Sequence, residues 1–305
     1  MKKQMMTRAA ALLLAVTALL ALSACGGSGR GNSGGGIFHP STASDLPTPD
    51  PETGEIDWSK VETGTSAQPD DLLARIRERG TLIIATEGDW SPWTYHDEND
   101  VLTGFDVELG TLIAERFGVT PEFQETDWDS ILAGVDAGRF DIACNGVDWT
   151  EERAEKYTFS EPYVYMQEVL VVRGDNEDIH GIEDLAGRTT ANSPNSTYAQ
   201  EAEQAGAEVL YVNTLLETLQ AVEQGRADAT INARASIMDY LEMHPDANLK
   251  IVYEAEGTSV CIPARKDADS ERLIAAVNEV LAELRASGRL AELSKTYFGT
   301  DLTER

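Results

Sequence analysis

Groups able to grip a small charged molecule stand directly behind the apolar runs of this sequence. The run at 81–86 is followed by Glu87-Gly88-Asp89-Trp90-Ser91-Pro92-Trp93. The run at 120–126 leads into Asp127-Trp128-Asp129. The run at 140–144 leads into Asn145-Gly146-Val147-Asp148-Trp149-Thr150-Glu151-Glu152-Arg153. Further on, residues 192–197 open a helix with Ser196 and Thr197, and Asn232-Ala233-Arg234 follows a last run. Brought together, such groups can hold a zwitterion. Aromatic faces clamp its body, and an arginine with helix-start amides takes its carboxylate. Covalent chemistry is not indicated, because no nucleophile stands with a base. His39, His96, His180 and His244 are scattered, and no CxxC pair or zinc spacing occurs, so no metal or cofactor is expected.

Each of these residues also has a plain structural use. Arg153 lies in an acidic helix start and could serve as a surface ion-pair partner, an interaction worth little. Trp90 and Trp128 could be core residues, and Trp93 and Trp149 read better as core or lobe-edge packing. Glu87 and Asp148 could be capping or solvated acids. Asn232 and Arg234 could simply finish a strand.

Positioning these groups requires an α/β scaffold. Residues 81–86 and 120–126 read as strands, with 106–117 between them as a helix carrying Leu109, Leu112, Ile113 and Phe117 at helical spacing. A helix over 129–137 and a strand over 140–144 complete a parallel, right-handed crossover unit. The pattern restarts with strands at 169–172, 189–191, 209–212 and 227–231 and helices at 196–205 and 215–224. A long amphipathic helix over 271–285 and a shorter one reaching Phe298 end the chain. Two similar units invite a ligand site between them, beyond the carboxyl ends of their strands.

The N-terminus sets the compartment. Lys2, Lys3 and Arg8 precede an apolar run over 9–22, and Leu22-Ser23-Ala24-Cys25 places small residues before a cysteine. That is the plan of a secretory signal, too short for a comfortable membrane span. Residues 26–36 are almost all Gly, Ser, Asn and Arg, and 41–69 are rich in Pro, Thr, Ser and acids. Without an apolar period they read as a flexible tether, with Trp58 the one residue that could pack on the body. The formal net charge of −29 argues against nucleic-acid binding and against lying on anionic lipid; it would favour cationic solutes by long-range steering, mostly at low salt, and a soluble acidic surface is the plainer reading.

Taken in order, several segments resemble the extracellular solute-binding proteins of polar amino-acid ABC importers. They are Trp90 to Trp93, Leu102-Thr103-Gly104-Phe105-Asp106-Val107-Glu108, Ala137-Gly138-Arg139-Phe140-Asp141, Thr150-Glu151-Glu152-Arg153 with Phe159-Ser160-Glu161-Pro162-Tyr163, and Gly225-Arg226-Ala227-Asp228-Ala229. Ala276-Val277-Asn278 and Tyr297-Phe298-Gly299 match as well, so the resemblance covers nearly all of residues 72–300. The N-terminal segment likewise resembles the lipobox of bacterial lipoproteins, which implies a diacylated Cys25.

The resemblance implies a two-lobed, periplasmic-binding-protein-like type II fold hinged on two crossover strands. Lobe 1 is expected over 71–168 and 258–305, lobe 2 over 169–257, and the hinge near 167–170 and 257–260. Residues 1–24 are expected as the signal and 25–70 as lipidated cysteine and tether. A monomer is expected, anchored on the extracellular face of the membrane (the periplasmic side in a Gram-negative cell), passing an amino-acid-like solute to an ABC permease. By the same resemblance Trp90 and Trp128 are the aromatic clamp, Arg153 grips the ligand carboxylate, Gly146 offers a backbone contact beside Asn145, and Ser196 and Thr197 meet the carboxylate from the other lobe. Glu87 falls where some members set an acid against a cationic side chain, and Asn232 follows the last strand at the cleft.

Two positions depart from the family. Asp148 stands where a Ser or Thr usually touches the carboxylate, and Ala233 stands where an aspartate usually holds the ammonium. Either Asp148 supplies that anion or the solute is not a simple α-amino acid. Cys144 and Cys261 should lie on neighbouring strands of lobe 1, where disulfide geometry is awkward, so buried thiols are expected. A cyclohexadienyl dehydratase-like enzyme on the same scaffold and a ligand-sensing module are the competing readings, and no enzyme activity is expected.

Overall fold

The computed structural model describes residues 71–304. The expected signal segment, the lipidated Cys25 and the tether with Trp58 lie outside them.

Lobe 1 opens with α1 (Leu72–Arg79), which sequence reading missed. The Asp71 side chain caps it by accepting from Ala74 N, and left-handed Gly80 ends it. Next come β1 (Thr81–Thr86), the short strands β2 (Asp89–Trp90), β3 (Thr94–His96) and β4 (Leu102–Thr103), and α2 (Phe105–Phe117). They are followed by β5 (Thr120–Glu125), α3 (Trp128–Asp136) and β6 (Ile142–Ala143). The parallel sheet runs β5-β1-β6, as the crossover reading requires, and β2-β3-β4 form a small antiparallel sheet. The strand expected over 140–144 shrinks to two residues. Its flank is held instead by Asp141, whose carboxylate accepts from Ile83 N at 2.8 Å.

After α4 (Glu151–Lys156), β7 (Tyr157–Phe159) and β8 (Val164–Met166), Gln167 leads into the five-stranded sheet of the second lobe. Lobe 2 contains β9 (Glu168–Arg173), a 3-10 turn (Ile182–Leu185), β10 (Thr189–Asn192), α5 (Thr197–Gln204) and β11 (Glu208–Tyr211). Then follow α6 (Leu215–Glu223), β12 (Ala229–Ala233), α7 (Arg234–Met243) and β13 (Leu249–Glu254). Its sheet runs β11-β10-β12-β9-β13, with β9 antiparallel to both neighbours. The last expected run, 227–231, sits two residues later. Ala227 and Asp228 turn the chain, and the Asp228 carboxylate accepts from Thr189 N at 2.8 Å. Asn232 and Ala233 therefore end the strand rather than form a loop.

The chain returns through residues 255–257. Strand β14 (Thr258–Val260) pairs with β8 and β15 (Pro263–Arg265) with β7, both antiparallel. Helix α8 (Ala268–Ala286) starts earlier than the apolar period suggests, because the Asp267 carboxylate caps it from Ser270 N at 2.7 Å. Helix α9 (Arg289–Phe298) follows. Its Phe298 packs 4.7 Å from the Trp93 ring and 4.8 Å from Phe105, so the end of the chain supports the turn that carries Trp90. Cys144 and Cys261 are free, buried thiols, and burial pushes Cys261 up to about 12.

Candidate functional site

A cleft of about 440 Å³, its open mouth included, lies between the lobes at the carboxyl ends of β1, β6, β10 and β12. Glu87, Trp90, Trp128, Asn145, Gly146 and Asp148 line it from lobe 1, and Ser196, Thr197 and Asn232 from lobe 2. Ser193, Tyr198 and Leu215 also line it and were missed. Ser193 directly follows β10 and Leu215 opens the helix after β11. Looking behind every strand of the second unit would have found both.

Glu87 sits at the end of β1 in a fixed frame. Its backbone N–H donates to Asn145 Oδ1 at 2.8 Å, and Asn145 Nδ2 donates back to Glu87 Oε2 at 2.7 Å. Thr86 and Thr94 hydroxyls donate to the same Oδ1 at 3.2 and 3.3 Å. The Asn145 amide is thus committed to holding Glu87. Burial pushes the Glu87 carboxyl up to about 8 against the pull of that hydrogen bond, and the Asp89 and Asp127 carboxylates push it the same way as burial. An acid held in this state favours a cation that can restore its charge.

Trp90 stacks on Trp93 with centroids 5.2 Å apart and planes 11° apart. Its Nε1–H crosses the cleft to Asn232 Oδ1 at 3.2 Å, which ties lobe 1 to lobe 2. Gly146 has φ +56°, and a Cβ there would lie 2.4 Å from the Trp90 ring, so only glycine fits. Asp106, fully buried in α2, fixes this turn: its carboxylate accepts from Gly146 N and, at 2.8 Å, from the Tyr163 hydroxyl. Burial raises Asp106 to about 7.

Arg153 differs from the other expected contacts. It does not line the cleft and is only 7% exposed. The Thr150 side chain caps α4 by accepting from Arg153 N. Its guanidinium lies 5.3 Å from the centroid of the Trp128 ring. Nη1 donates to the Asp148 carbonyl at 3.1 Å, and Nη2 donates to the Asn195 carbonyl of lobe 2 at 3.2 Å. Asn195 adopts φ +59°, a left-handed conformation that Asn tolerates.

Between Arg153 and the cleft stands Asp148. Its Oδ2 accepts from the Thr197 hydroxyl at 2.6 Å and its Oδ1 from the Thr258 hydroxyl at 3.0 Å, with Arg153 Nη1 3.9 Å from Oδ2. Burial raises its pKa, while Arg153, Thr197 and Thr258 oppose that rise. Ser196 caps α5 by accepting from Ala199 N at 3.1 Å. Ala233 is fully buried, and Glu168 stands opposite it on β9. Burial, then the Asp148 and Glu201 carboxylates, push Glu168 up to about 9.

A larger hollow of about 1250 Å³, open mouth included, lies beside Gln167 between α7 and α9. It contains none of the expected contacts, and its Arg234 is paired to Glu254 at 3.3 Å. Convergent polar groups, not size, single out the smaller cleft.

Residues 82–300 match the family of bacterial extracellular solute-binding proteins, family 3. A probable amino-acid ABC transporter-binding protein of Haemophilus influenzae is 38% identical over 253 residues, covering 83% of this chain and 96% of that protein. The L-cystine solute receptor of Neisseria gonorrhoeae in its unliganded open conformation is 39% identical, covering 77% of this chain and 100% of that one, at a TM-score of 0.53. An ancestral arginine-binding protein bound to arginine is only 33% identical, covering 72% and 99%, yet its TM-score is 0.68. By both the matched segment and these similarities, the chain belongs to the bacterial extracellular solute-binding proteins, family 3.

Proposed function

We propose that the chain, a solute-binding component of an ABC importer, captures an amino acid whose far end carries a second positive group. The observation that carries this reading is Glu87: a half-buried carboxyl lining the cleft, framed by Asn145 and flanked by Asp89 and Asp127. Arginine and cystine, the solutes of the two similar proteins above, both carry such a group. In this reading Trp90 and Trp128 cover the solute's body, and the start of α5 at Ser196 and Thr197 meets its carboxylate together with Arg153. The Gly146 backbone lies alongside, Asn145 fixes Glu87, and Asn232 draws Trp90 across the cleft. The lobes are 71–168 with 258–305, and 169–257. Cys25 is the lipid anchor that holds a monomer at the outer face of the membrane, from which it serves its permease.

Calorimetry with L-arginine, L-ornithine, L-cystine and L-leucine tests the solute class. Ligands with a distal cation are expected to bind at least about tenfold tighter than leucine, a difference of about 1.4 kcal/mol. Equal affinities, or turnover of a prephenate-like substrate, would refute the reading.

A further inference from the structure

Asp148 is the one cleft residue whose carboxylate is already bound by the groups assigned above to the solute's carboxylate. Thr197, the first residue of α5 in lobe 2, donates to its Oδ2 at 2.6 Å. Thr258 on the returning strand β14 donates to its Oδ1 at 3.0 Å. The Arg153 guanidinium lies 3.9 Å away and spends its own hydrogen bonds on the carbonyls of Asp148 and Asn195, one in each lobe.

We propose that Asp148 is an internal stand-in for the solute's carboxylate: it latches the lobes together through Thr197 and must be displaced before Arg153 and the α5 start can take a solute. The inference rests on the solute reading for the identity of that carboxylate, but the latch itself does not. A role as ammonium acceptor fits less well. Both Asp148 oxygens already accept hydroxyl hydrogen bonds, and the neighbouring guanidinium repels a second cation. The latch also accounts for the place of Arg153 behind the cleft wall rather than in it.

Occupation of the site by the protein's own carboxylate weakens apparent affinity by the fraction of molecules left competent. Asp148→Ser keeps a small hydroxyl there and removes the competitor. The expected results are two. The free variant scatters X-rays as a more open molecule than the parent, and its Kd for L-arginine falls by about tenfold or more. Thr197→Val breaks the latch from the other lobe while leaving Asp148 in place. Its free form is expected to open as well, which keeps the test decisive if D148S does not fold. Unchanged scattering in both variants, or a parent that binds arginine and a D148S variant that binds it no tighter, overturns the proposal. Open variants together with no binding of any amino acid by parent or variant would leave the latch standing and reject the solute class instead.

Discussion

Glu87 is where solute choice should be easiest to move. Its carboxyl, held up near about 8, is largely protonated at neutral pH, and a cationic ligand must first draw off that proton. Arginine affinity is therefore expected to rise with pH between about 6 and about 8, by up to about tenfold per unit, while leucine affinity stays flat. Glu87→Gln should weaken arginine by about tenfold or more and abolish the slope, a result read by calorimetry at three pH values. A slope retained in the variant would place the titration elsewhere. At this scale the sequence was informative wherever a residue follows a strand, so Glu87, Trp90, Trp128 and Asp148 could be named. It was silent on the partners of each side chain. Nothing in the spacing says that Asn145 serves Glu87, that Asp106 anchors Gly146, or that Arg153 faces two backbone carbonyls, because those contacts join segments about 40 residues apart or more, or depend on a single rotamer.

At the scale of elements, long periodic segments were legible, and their ends were not. Caps moved the boundaries: Asp267 started α8 early, and the turn at Asp228 delayed β12. Helix α7 and strand β13 escaped notice; most of their apolar residues are half-buried or exposed, with Ser236 and Ile237 the only buried residues of α7. The helices also meet the sheet at close range. A Cβ on Gly134 of α3 would lie 2.1 Å from the Phe140 ring, so α3 can approach the segment leading into β6 only through glycine. Gly134→Ala is expected to cost about 1–3 kcal/mol and to lower the melting temperature. The same variant should leave arginine affinity nearly unchanged, because only Trp128 of that helix reaches the cleft. An unshifted melting curve would show that Phe140 yields at little cost.

Across the whole molecule, buried acids set the pH dependence of stability. Glu87, Asp106 and Glu168 are raised to about 8, 7 and 9, so the folded state holds protons that the unfolded chain has lost above its ordinary carboxylate range. A raised acid leaves stability intact below the unfolded pKa and erodes it as pH climbs toward the folded value. The depressed acids Asp97, Asp175, Asp267 and Asp301 act in the opposite sense, but only under more acidic conditions. The melting temperature is thus expected to fall steadily from about pH 5 to about pH 9, with the formal charge of −29 adding repulsion in the same direction. A melting temperature that rises over that interval, measured by calorimetry at constant ionic strength, would contradict this assignment. Bound arginine should flatten the decline by giving Glu87 its counter-charge.

The bond from Trp90 to Asn232 makes the protein its own optical gauge. The indole is stacked on Trp93, nearly dry, and anchored through its N–H to the opposite lobe. Parting the lobes releases that anchor and wets the ring, which turns a motion of whole lobes into a change in emission colour. Opening of the lobes could therefore be read from intrinsic fluorescence alone, with no dye attached.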